Sequence, residues 1–104
     1  MFEAKTNLKT AIFFADGCEE IEGLTVVDLL YRAGIPCTKV SITQSTEVTS
    51  SHEVTFRTDT TIGELDFDQY DMIILPGGIP GTPNLRACSP LMDQVKAFCK
   101  TGRQ

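Results

Sequence analysis

Thr10-Ala11-Ile12-Phe13-Phe14-Ala15-Asp16-Gly17-Cys18-Glu19-Glu20-Ile21-Glu22 decides the architecture. Thr10 to Ala15 is short and apolar without alternation, the pattern of a strand covered on both faces. Asp16-Gly17 breaks it. The acids that follow crowd the first turn of a helix predicted over Glu19–Ala33, where the macrodipole favours them. A second stretch repeats the arrangement, with Met72-Ile73-Ile74-Leu75 running into Pro76-Gly77-Gly78-Ile79-Pro80-Gly81. Both loops therefore belong at the carboxyl ends of buried strands, the edge of an open parallel sheet where ligands and chemistry gather.

Outward from these loops the pattern is that of an α/β fold. Ile21, Leu24, Val27 or Asp28, and Tyr31 trace one face of the first helix, widened by Leu29 and Leu30. Arg32 lies in its last turn, Gly34 supplies the stop, and Pro36 follows. Cys37 to Thr43 alternates and is rich in Val, Ile and Thr, so it reads as a second strand, parallel to the first through a right-handed crossover. Thr46 to Asp59 is polar, β-branched and two-sided, with Ser50-Ser51-His52-Glu53 at its middle, and predicts a small hairpin outside the main sheet. Ile62 to Phe67 predicts a helical turn, Asp71 to Leu75 a buried strand, and Pro83 to Cys88 a short helix. Ser89-Pro90 then opens a helix running through Leu91, Met92, Val95, Phe98 and Cys99 to Gly102. Another buried strand should follow such a helix. Residues 1–104 are therefore expected to be the amino-terminal portion of a larger single domain, with a sheet edge left uncovered.

Composition narrows the function classes. With nine Lys plus Arg against fourteen Asp plus Glu, the net charge is −5. That balance argues against nucleic acid or an anionic membrane as the primary partner. No apolar run approaches the roughly 20 residues of a membrane helix, and Met1 to Thr10 lacks a signal-peptide core. Cys18, Cys37, Cys88 and Cys99 are widely spaced without a C-x-x-C pair, and His52 is the sole histidine. Structural zinc is disfavoured, and a reduced, cytoplasmic chain is expected. The absence of G-x-G-x-x-G and of a P-loop Lys-Ser/Thr disfavours dinucleotide and NTP binding, and no cofactor is expected.

Three groups could carry chemistry. One of Glu19, Glu20 and Glu22 could turn inward at the strand edge, where desolvation makes a carboxyl a proton donor or acceptor near neutrality; the alternative is dipole complementarity on a solvated face. With Ile21 buried, Glu20 and Glu22 would point away from it on either side, and spacing alone does not choose between them. Gly77-Gly78 permits a positive φ and close backbone approach, so an N–H there could face a developing oxyanion, or the pair could simply make a tight turn. Cys18 sits near a helix N-terminus, which favours a thiolate, although a small buried thiol is the commoner case. His52 and Arg32 are further candidates for lining a pocket.

The text Ala15-Asp16-Gly17-Cys18-Glu19-Glu20-Ile21-Glu22, Val27-Asp28-Leu29-Leu30-Tyr31-Arg32-Ala33-Gly34-Ile35 and Tyr70-Asp71-Met72-Ile73-Ile74-Leu75-Pro76-Gly77-Gly78 resembles the ThiJ/PfpI family, in its YajL-like and human protein deglycase branch. The resemblance implies a flavodoxin-like three-layer α/β sandwich with a mostly parallel sheet, usually dimeric through the first helix region. It implies a site joining a glutamate at the start of the first helix, matching Glu22, a backbone N–H after Pro-Gly-Gly, matching Gly78, and a cysteine on a strand-to-helix elbow. None of the four cysteines here matches that elbow, which belongs beyond Gln104. A protonated Glu22 would hydrogen-bond the elbow sulfur, and Gly78 would steady the oxyanion as the thiolate attacks an aldehyde or hemithioacetal carbon. His52 stands where related members carry Arg in a pocket-lining stretch. The resemblance thus implies a glyoxalase- or deglycase-like enzyme acting on small aldehydes or glycated substrates. A redox-responsive chaperone or interaction module, with the carboxyl-terminal part as a partner, and a PfpI-type peptidase are the alternatives. A phospho-acceptor receiver ranks low, because Leu75-Pro76 occupies the position its aspartate needs.

Overall fold

The computed structural model describes residues 2–76, 85, 88 and 90–94. The described elements through residue 74 follow in the order β1 (Thr10–Phe14), α1 (Glu20–Ala33), β2 (Cys37–Ser41), β3 (Glu47–Thr49), β4 (Thr55–Arg57), β5 (Thr60–Thr61) and β6 (Met72–Ile74). Short 3-10 turns at Ile62–Glu64 and Phe67–Gln69 lie between the last two strands. The main sheet has the order β5-β2-β1-β6 and every pairing in it is parallel. Thr10 faces Cys37 on one side and Met72 on the other, so β1 is the central strand.

β1 is buried along its whole length, as its unbroken apolar run requires. Successive side chains serve opposite faces. Ala11, Phe13 and Ala15 pack with Val40, Leu85 and Leu91, and Phe67 stacks on Phe13 with ring centroids 5.6 Å apart. Ile12 and Phe14 pack with Cys18 and Val48, under Leu24, Val26 and Val27 of α1. Phe56 from β4 meets the Phe14 ring edge-on at 5.0 Å. The 3-10 turns and the segment reaching Leu91 thus cover one face, while α1 and the β3–β4 hairpin cover the other.

Glu19 caps α1 by accepting a hydrogen bond from Ile21 N at 3.1 Å. Gly34 ends it in the left-handed region (φ 73°), and Ile35 N closes the Schellman bond to Leu30 O at 2.9 Å. The inward face is the predicted one in part, since Leu24 and Val27 face the sheet as expected. Ile21, Leu29 and Tyr31 are 67%, 59% and 49% exposed, whereas Gly23 is buried and Leu24, Val26 and Val27 face the sheet. The reason is Gly23. A Cβ there would fall inside the envelope of Phe14 Cε1, so the helix approaches the sheet on a residue with no side chain. A periodicity built on apolar bulk gives such a position no weight.

The hairpin over 46–59 forms as expected, with Val48 opposite Phe56. The sheet is one strand wider than predicted, because Thr60-Thr61 pairs with Val40-Ser41. Asp59 holds that strand in place by accepting Lys39 N at 2.9 Å and pairing with Lys39 Nζ at 3.2 Å. Pro90 to Gln94 is helical, in agreement with the helix predicted from Pro90. The rest of that helix, Cys99, and the Gly77-Gly78 turn lie outside the described residues.

Candidate active site

Two chain segments meet at the carboxyl edge of the sheet. The loop after β1 turns through Gly17 in the left-handed region (φ 83°). It is fastened to the hairpin by Gly17 N to Thr49 O at 2.8 Å, Thr49 N to Asp16 Oδ1 at 3.0 Å and Ser51 N to Cys18 O at 2.9 Å. The hairpin's own turn is wound around buried Ser50, whose Oγ accepts His52 N at 3.3 Å and Val54 N at 3.1 Å, with Glu53 left-handed at φ 64°. This winding carries His52 over the start of α1.

The three glutamates have separate occupations. Glu19 caps the helix. Glu20 has its side chain only 13% exposed, and both its oxygens lie 3.0 Å from His52 Nδ1. A carboxylate accepts only, so Nδ1 donates. Glu22 is exposed on the first turn and, among the described residues, makes no hydrogen bond or ion pair. The hydrogen bond from His52 holds the Glu20 carboxyl below its ordinary value, against an opposing effect of desolvation. The same bond raises the His52 imidazole above its ordinary value, with the charges of Glu20 and Glu19 adding to it.

The signs define a pH window. The raised imidazole contributes its full stability below 6.5 and loses it as pH climbs through its folded value. The lowered carboxyl contributes above 4.5 and loses its share as pH falls through its own folded value. The pair is therefore strongest between 4.5 and 6.5. His52→Ala is expected to lose more urea stability at pH 5.5 than at pH 9, where the imidazole is neutral. An equal loss at both pH values would show that the pair carries no charge interaction.

Cys18 is fully buried, and burial followed by the Glu20 charge pushes its thiol up to about 11. The nearby helix N-terminus is outweighed by desolvation and three carboxylates, so the core reading of Cys18 holds over the nucleophile reading. Cys37 is half-buried on β2, and burial raises its thiol as well. Among the described residues Cys18, Cys37 and Cys88 are free thiols.

Arg32 is not brought to this edge. It sits ten residues beyond Glu22 on α1, about 15 Å along the axis at roughly 1.5 Å per residue. There it pairs with Asp28 at 3.1 Å and borders a shallow cavity of about 240 Å³ with Lys5, Tyr31 and Gly34. Arg32 is thus a cavity-lining residue away from Glu22: α1 runs back across the sheet and delivers its last turn to the amino edge. A neighbouring cavity of about 250 Å³, lined by Val27, Tyr31, Ile35, Cys37 and Lys39 among others, also opens at the amino edge.

At the carboxyl edge, β1 leads to Glu22 and its parallel neighbour β6 leads through Leu75 to buried Pro76. The contact missed from sequence is Glu20–His52. Its partners lie 32 residues apart and are joined only by the hairpin's fold onto α1, which no local pattern signals.

Comparison with known proteins gives the context of this edge. The chain is 34% identical over 100 residues to Protein DJ-1 homolog B of Arabidopsis thaliana, covering 96% of this chain and 23% of that protein. It is 32% identical over 100 residues to the Glutathione-independent glyoxalase DJ-1 of Schizosaccharomyces pombe, covering 89% and 52%. The solved structure of oxidized Toxoplasma gondii DJ-1 superposes with a TM-score of 0.88 at 30% identity, over 92% of this chain and 52% of that one. The chain thus spans between about a quarter and about half of the length of these relatives. The sequence model of the DJ-1/PfpI family matches residues 8–104. With the parallel sheet and its helical cover in the same arrangement, this chain belongs to the DJ-1/PfpI family.

Proposed function

We propose that the protein is a cysteine-dependent enzyme acting on glyoxals or glycated substrates, to which this chain contributes the acid and an oxyanion-binding amide. The observation that carries the reading is Glu22. It stands at the carboxyl edge with its carboxylate uncommitted among the described residues, while Glu19 caps and Glu20 pairs with His52. The similarity to a relative named as a glutathione-independent glyoxalase supports the substrate class.

In this reading the sulfur comes from the part of the relatives' length that this chain does not span. Its thiolate attacks the aldehyde carbon. The C–S bond forms as the carbonyl electron pair moves to oxygen, and that oxygen then takes a proton. Glu22 hydrogen-bonds the resting sulfur. The amide of Gly78, outside the described residues, is assigned to the oxyanion as the resemblance implies, and Gly77 beside it has no Cβ to obstruct that approach.

The test is turnover of methylglyoxal by the full-length protein, followed as hydroxy-acid product, beside a peptide substrate under the same conditions. Consumption of methylglyoxal alone supports the reading. Peptide cleavage without it, or no turnover of either, overturns it.

The reading includes pairing with a second copy across α1. Ile21 and Leu29 are large apolar side chains left outside the core on that helix. Replacing both with Asp is expected to convert a dimer to a monomer in sedimentation. A wild-type protein that sediments as a monomer would remove this part of the proposal.

A further inference from the structure

Glu19, Glu20 and His52 do more than form an ion pair. Their nearest donor atoms, two carboxylate oxygens and the imidazole Nδ1, all lie within 4.8 Å of one another. Nδ1 is 3.0 Å from Glu20 Oε1 and 3.8 Å from Glu19 Oε1. Donors held at about 2.0–2.1 Å from zinc in a tetrahedron lie roughly 3.3–3.4 Å apart, so the two spacings bracket the required one. The donors come from two separate segments, the start of α1 and the hairpin turn, and backbone bonds already fasten those segments together. An ion would leave these segments in place and draw the Glu19 carboxylate from its cap on Ile21 N toward Nδ1.

We propose that Glu19, Glu20 and His52 form a binding site for a divalent transition-metal ion such as zinc, clamping the hairpin turn to the first helix. Two carboxylates and one imidazole neutralise the ion's charge and leave a coordination position open for water. The positive end of the α1 dipole opposes a cation here, and the two carboxylates offset it. On binding, the proton on Nδ1 is displaced, either to solvent or to Nε2, and the ring nitrogen's lone pair takes its place as the ligand. Nothing in this proposal requires the cysteine chemistry suggested above.

Because His52 is the chain's sole histidine, the site has a single imidazole reporter. Zinc added to the protein at pH 7.5 should bind one ion per chain by calorimetry and shift the His52 Nδ1 resonance in a nitrogen-15 spectrum. His52→Ala should weaken this binding by about 100-fold, and Glu20→Gln by about 10-fold, because each removes one ligand of three. His52 is exposed on the hairpin turn and Glu20 lies on the first turn of α1, and circular dichroism checks that both variants fold. Cobalt in place of zinc should give ligand-field bands without the near-ultraviolet sulfur-to-cobalt charge transfer that cysteine ligation would produce. Three results overturn the proposal: unchanged binding in His52→Ala, a sulfur charge-transfer band, or no binding at millimolar zinc, which would leave only an ion pair.

Discussion

Glu22→Gln in the full-length protein is expected to lower kcat/KM for methylglyoxal by about 10²–10⁴-fold, the range for losing a positioned acid–base group, with little change in KM. Glutamine keeps the shape of the side chain and can still donate from its amide, but it cannot give up or regain a proton during turnover. Because the wild-type carboxyl makes no contact among the described residues, the substitution breaks no fold-stabilising bond, and urea stability should stay within about 0.5 kcal/mol. That separation makes the result interpretable. A loss of rate with stability intact assigns Glu22 to chemistry, whereas rate and stability falling together would assign it to structure. Glu19→Gln and Glu20→Gln serve as controls for a general effect of charge at the head of α1. A fully active Glu22→Gln enzyme would sink the proposed role.

Phe14→Ala is expected to cost about 3–5 kcal/mol, seen as a lower urea midpoint at unchanged slope. Phe14 is fully buried, meets Phe56 edge-on, and presents its ring to the backbone of Gly23. Truncation opens a cavity that α1 cannot fill from that position. Gly23→Ala in the wild-type background should cost about 1–3 kcal/mol from overpacking, although alanine is the better helix former by about 1 kcal/mol. In the Phe14→Ala background the same added methyl enters vacated space and should become neutral or stabilising. The two changes are therefore strongly coupled, and a double-mutant cycle that came out additive would show that α1 and β1 do not approach each other at Gly23.

Much of the fold was legible because it is local. The unbroken apolar run at Thr10–Phe14, the acidic start and glycine stop of α1, and the polar hairpin all follow from nearest-neighbour chemistry. Two features were not legible for definite reasons. Thr60-Thr61 is too short and too polar to announce a strand, and it becomes one only because Asp59 ties it to Lys39. The inward face of α1 was read right at Leu24 and Val27 and wrong at Ile21 and Tyr31, because its closest contact is made by a glycine. At the site, spacing left Glu20 and Glu22 equivalent. A tertiary contact distinguishes them by giving Glu20 to a histidine 32 residues away. The thiol of Cys18 illustrates a competition that sequence cannot weigh: the helix terminus was visible, and the complete burial that outweighs it was not.

The central position of β1 has a consequence for how the protein is made. Its first partner arrives with Cys37–Ser41, but its second, Met72–Ile74, is encoded 33 residues after Ser41. At roughly 5–20 residues per second, the nascent chain waits on the order of 2–7 s on the ribosome with one flank of its most hydrophobic strand unsatisfied. Slow codons after Ser41 would prolong that interval, and chaperones that cradle emerging chains have their clearest target in Ile12-Phe13-Phe14.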